Sequence, residues 1–150
     1  MAEFTYNPIQ VIEPGQNAIF NTTIPCNKGY VYHRNESGIV ILRGVVNNPN
    51  NCFARYQVTF NGNIAIPTDE TVGPISISLA IDGEPILTSR AIVTPTVVDA
   101  YFNVTSTAFI TVPKGCCFSV SVENTSIGVG TAAAPSINMQ NANLVVERVA

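Results

Sequence analysis

Along most of the chain, apolar and polar residues alternate one for one. In RYQVTFNGNIAI (55–66), Tyr56, Val58, Phe60, Ile64 and Ile66 fall on one parity, and Arg55, Gln57, Thr59, Asn61 and Asn63 on the other. Successive side chains of a strand point to opposite faces, so this rhythm predicts a strand with one face in a core. Gly62 interrupts the apolar row and marks a bulge or bend. PISISLAIDGEPIL (74–87) repeats the pattern with Ile75, Ile77, Leu79 and Ile81 inward. Its Asp82-Gly83 predicts a two-residue hairpin, because a type I′ turn needs positive φ at both central positions. YFNVTSTAFITV (101–112) sets Phe102, Val104, Ala108, Ile110 and Val112 against Asn103, Thr105, Thr107, Phe109 and Thr111. CCFSVSVEN (116–124) sets Phe118, Val120 and Val122 against Ser119, Ser121 and Glu123, and NANLVVERVA (141–150) reads as a closing strand. GIVILRG (38–44) is apolar on both parities, as a central or doubly covered strand would be.

No long window keeps a helical period; TPTVVDAYF (94–102) has room for one helical turn at most. Ten prolines and ten glycines fall mainly between the strands, so the expected fold is an all-β sandwich in one domain. Residues 126–136, SIGVGTAAAPS, read as an exposed loop. Residues 1–15, with Pro8 and Pro14, read as an extended N-terminal arm held by a neighbouring subunit, leaving 16–150 as the sandwich.

Composition changes the picture in one respect. Only 11% of residues are charged while 46% are apolar, against about 25% charged in ordinary domains. Asn, Thr, Ser and Gly carry the polarity. Neutral hydroxyls and amides are buried at modest cost when hydrogen-bonded, whereas a stranded charge is costly. A sandwich dressed this way is suited to being covered by copies of itself. Ile39, Ile41 and Phe109 are the candidate contacts, Phe109 being a large aromatic on an otherwise polar parity.

The net charge is −3 and the seven basic residues stand singly along the chain, which argues against nucleic acid. No apolar run is long enough to span a membrane. The opening residues lack the basic and apolar regions of a secretory signal. Four Asn-x-Ser/Thr sequons (Asn21, Asn35, Asn103, Asn124) are about what sixteen asparagines give by chance.

Candidate chemistry is sparse. Any Cys–His or Ser–His scheme must use His33, which follows the alternating Tyr30 and Tyr32 and reads as a structural strand residue. Asp69, Glu70, Asp82 and Glu84 read as turn residues, and no phosphate-binding glycine loop is present. Cys26, Cys52, Cys116 and Cys117 lack the Cys-x2-Cys zinc spacing. They read first as buried thiols and second as bridges between loops, with Cys116 on the parity of inward Phe118 and Cys117 on the other. A glycan-binding tip is the alternative role, with Tyr30, Asn48 and Asn50 around NNPNN (47–51) as its ligand-facing loop. No enzyme activity, cofactor or metal is expected.

The order of PGQNAIFNTT (14–23), ARYQVTFNGNIAIP (54–67), SLAIDGEPI (78–86), VPKGCCFSVSVEN (112–124) and NANLVVERVA resembles the jelly roll of the tumour-necrosis-factor and complement-globular-head superfamily. It is most similar to the bacterial and bacteriophage branch, and its ending to the C-terminal domains of collagen-like spore-surface proteins. That resemblance implies a homotrimer. The absence of a Gly-X-Y repeat argues against a collagen-stalked spore protein. The resemblance implies a virion component assembled in a host bacterial cytoplasm, a capsid decoration or head-fibre protein docked to a capsid protein through the arm. The alternative is a receptor- or glycan-binding tip of a phage fibre, or a protein of the bacterial cell or spore surface.

Overall fold

The computed structural model describes residues 2–24, 30–34, 36–46 and 49–150. In chain order the strands are β1 (Ala2–Tyr6), β2 (Gln10–Ile12), β3 (Thr22–Ile24), β4 (Val31–His33), β5 (Val40–Arg43), β6 (Phe53–Ala65), β7 (Ile75–Ile81), β8 (Glu84–Pro85), β9 (Ala91–Val93), β10 (Phe102–Pro113), β11 (Cys117–Asn124) and β12 (Ile137–Arg148). Among the described residues they form two antiparallel sheets. The first runs β10-β6-β12-β1-β3, with β2 also on β12; the second runs β4-β5-β11-β7-β8, with β9 also on β7. From β5 onward the chain repeatedly crosses from one sheet to the other, which makes this a jelly-roll sandwich. No described helix is long and apolar enough to cross a membrane.

The alternation does the packing. Tyr56, Val58, Phe60, Ile64 and Ile66 are fully buried against Ile75, Ile77, Leu79, Val40, Leu42, Val120 and Val122 of the facing sheet. Asp82 (φ 51) and Gly83 (φ 84) make the expected hairpin turn, closing β7 onto β8 with Ile81 opposite Glu84. The bulge lies opposite Gly62 instead of at it. β6 pairs evenly with β10 through Gly62, while β12 slips between Gln140 and Asn143, with Asn141 at φ 55. The slip moves the inward parity of β12 from Ile137 and Met139 to Ala142, Leu144 and Val146. Gly62 is required for another reason: a Cβ there would lie 2.8 Å from Cζ of Phe60.

Several expectations are corrected. Residues 2–6 are not part of a docking arm but a strand between β12 and β3, with Phe4 fully buried. The prolines at 8 and 14 bend the chain without detaching it, and β2 returns to pair with β12. The strand is paired on both sides, so its backbone is not open to extend a neighbour's sheet. Phe102 is 44% exposed, because it opens β10 at the rim of the sandwich. Residues 96–99 form bends and a turn, within the limit of one helical turn set by the sequence, and among the described residues a short 3-10 turn lies at Leu87–Ser89. β5 buries Val40 and Leu42, but its other parity is uncovered, with Ile39 exposed and Ile41 half-buried.

Candidate self-association face

The outward parity of β6, β10 and β12 forms one broad face of mostly neutral polar side chains, with Arg55 and Glu147 as its charged members. Register sets the rungs: Thr59 opposite Thr107, Asn61 opposite Thr105, Asn63 opposite Asn103. Their side chains are joined across the strands. Thr59 and Thr107 share a hydrogen bond at 3.2 Å, and Thr105 Oγ1 donates to Asn61 Oδ1 at 3.0 Å. Asn103 Nδ2 donates to Oδ1 of Asn61 and Asn63, at 3.0 and 3.2 Å. From Asn63 the chain of bonds passes to Asn141 at 3.3 Å and on to Asn7, while Asn143 donates to Glu3. Cross-strand pairs of this kind fix the rotamers of their members. The amides joined in this way can be covered by another surface without being orphaned, whereas the buried Oδ1 of Asn138, on the same parity of β12, has no hydrogen-bond partner among the described residues.

Phe109 stands beside this ladder, opposite Gln57 and 56% exposed. The Arg55 guanidinium lies 4.9 Å from its ring centroid. Cation and ring together make a flat, semi-polar platform of the type enriched at interface centres. Sequence parity pointed to Phe109 but not to the amide network beside it. The signal was available in the run of Asn and Thr on one parity of two strands that the fold then pairs.

The other two candidate contacts are not brought to this face. Ile39 and Ile41 lie on the outer side of the second sheet, where Ile41 faces Tyr32 on β4 and Ser119 on β11. The outer parity of β7, by contrast, is already closed by its own chain. Ser76 and Ser78 bond the Thr125 hydroxyl, and Arg90 Nε donates to Ser76 Oγ at 3.1 Å. Part of the second sheet's neutral outer residues is therefore covered by the chain's own Thr125 and Arg90.

The remaining sequence candidates sort cleanly. His33 is buried, its ring 4.9 Å from that of Phe4 and 6.5 Å from that of Phe20, and Nε2 bonds the Ser37 carbonyl at 2.8 Å. It is a core-packing residue. Cys52, Cys116 and Cys117 are exposed free thiols, not buried ones. They lie where β10 turns into β11 and β6 begins: Lys114 N–H donates to Cys52 C=O and Gly44 N–H to Cys116 C=O. Cys26 and Asn48 lie outside the described residues. Among the described residues no group of three His, Cys, Asp or Glu side chains is placed to hold a metal. Tyr30 is 47% exposed, but the Arg148 guanidinium lies 4.1 Å from its ring centroid, and Asn50 is exposed in a turn. The Asn124 sequon is buried, with its amide bonded to the carbonyls of Ile12 and Pro135.

No protein-family model and no curated protein matches the chain. Among solved structures it is similar to the globular domain of zebrafish complement 1qA protein. The identity is 14% and the TM-score 0.61, over 99% of this chain and 97% of that one. Two weaker similarities are to the sugar-binding EclA C-terminal domain (16% identity, TM-score 0.38, 77% of this chain and 82% of that one) and to a xylan-binding domain of Paenibacillus barcinonensis Xyn10C (8%, TM-score 0.35, 99% and 87%). At 14% identity the likeness to the complement globular domain speaks to fold alone, and the fold in common is the jelly-roll sandwich.

Proposed function

We propose that this chain is a non-catalytic structural protein that assembles as a homotrimer through the amide and hydroxyl face of its first sheet. Its place, on this reading, is the bacteriophage virion, as a capsid decoration or head-fibre protein. One observation carries the proposal: a broad, mostly neutral face, hydrogen-bonded across its strands, with Phe109 56% exposed beside it. The 11% content of charged residues supports it, since a solitary domain relies on surface charge to stay dispersed. The bacterial and phage resemblance of the strand motifs supports the virion assignment.

Sedimentation velocity at micromolar concentration tests the assembly. The expected result is a species of three 16.0 kDa chains. Phe109→Arg is expected to weaken association by about thirtyfold or more, as for a central interface anchor. Ile41→Arg, on the opposite sheet, is expected to leave the trimer intact. A wild-type monomer, or a trimer lost with Ile41→Arg and kept with Phe109→Arg, overturns the face. Mass spectrometry of purified particles tests the location, and its absence from them overturns the virion role.

A further inference from the structure

At the end of the sandwich away from the thiols, the β6–β7 turn and the β11–β12 connection enclose a cleft of about 450 Å³. Val72, Pro74, Ile127 and Val129 wall it, and Val72, Ile127 and Val129 are 45, 61 and 62% exposed. Single exposed aliphatics need no explanation, but three gathered around one concavity form an unused contact surface. The connection is braced by its own backbone. Ala132 N–H donates to Val129 C=O at 3.1 Å, and a Cβ on Gly128 would fall 2.1 Å from the Ala132 oxygen.

Glu70 is the charged residue of this lining. Its Oε1 accepts the Ser136 N–H at 3.4 Å, which aims the carboxylate, and among the described residues no lysine or arginine lines the cleft. A carboxylate among aliphatic walls, without a cation from its own chain there, complements a ligand with an aliphatic body and one positive charge. We infer that the cleft is a binding site for a small aliphatic ammonium compound. A free small molecule fits better than a peptide. The volume falls in the range of small-molecule sites, and apart from Glu70 and Thr71 the lining offers no polar side chain to satisfy peptide amides. The site is separate from the association face and does not depend on it.

Amide-resolved NMR titration of the whole chain tests the assignment, with hexylammonium chloride, 1-hexanol and a short lysine-containing peptide as probes. Hexylammonium is expected to shift the Ile127 and Val129 amides saturably and to bind about fivefold more tightly than hexanol, the scale of a partly solvated ion pair. Glu70→Gln is expected to bring hexylammonium to the hexanol level, while Ile127→Ser weakens both alike. Equal binding of the two probes by the wild type, or no saturable shift, overturns the proposal without recourse to any variant. A preference that survives Glu70→Gln also overturns it. Tighter binding of the peptide than of hexylammonium overturns the small-molecule occupant.

Discussion

Tyr56 shows how a single hydroxyl ties the sandwich together. Its ring is fully buried, and its OH donates to the Arg43 carbonyl, with the Tyr30 carbonyl 3.3 Å away. Burial pushes the phenol above its ordinary value of 10.0, with Arg148 opposing. Tyr56→Phe keeps the ring and removes this hydrogen bond, so urea unfolding is expected to show a loss of about 0.5–1.5 kcal/mol. Two carboxylates act in opposite directions with pH. Asp82 accepts the N–H and Oγ–H of Ser119, both at 2.9 Å, and these bonds hold its carboxyl below the ordinary 3.8. Its stabilisation is complete above pH 3.8 and is lost as pH falls through the lowered folded value. Glu123 is raised above 4.5 by burial, so the unfolded chain releases that proton first and stability falls as pH rises past 4.5. Thermal melts are expected to show Asp82→Asn flattening the acid limb. Glu123→Gln is expected to raise Tm near neutral pH and leave it unchanged near pH 3.

At the scale of elements, the strands with long alternating rows were legible, and those whose register depends on a neighbour were not. β6, β7 and β10 bury the parity the sequence assigned them, apart from the rim residue Phe102 and the partly buried Ile81 and Ala108. β12 could not be read the same way. Its apolar row changes parity at Asn141, and only the pairing with β6 turns that irregularity into a bulge. β1 carried a readable signal, Ala2, Phe4 and Tyr6 against Glu3 and Thr5, but five residues flanked by Pro8 do not reveal which strand they join. Its place in the core makes a direct prediction. Phe4→Ala is expected to cost about 3–5 kcal/mol in chemical unfolding, the range for an aromatic lost from a packed core. A docking arm would show no such loss.

For the whole molecule, the sequence by itself determined that the chain is a two-sheet β sandwich, which residues of its long strands face inward, and that its outer residues are neutral. Those properties follow from the two-residue period of a strand and from composition, both of which are local. Tertiary structure decided what those outer residues do. It placed Phe109 and the Asn and Thr side chains on one open face, and Ile39 and Ile41 on the far side. It closed the serines of β7 with Thr125 and Arg90, and left three thiols in water at one end. It also set Glu70, which the sequence presents as a turn residue beside Asp69, into an apolar cleft built partly from residues more than fifty positions later. The reason is geometric. Parity says which side of a strand a residue takes, but which strands become neighbours depends on long-range pairing and on how the two sheets close over one core.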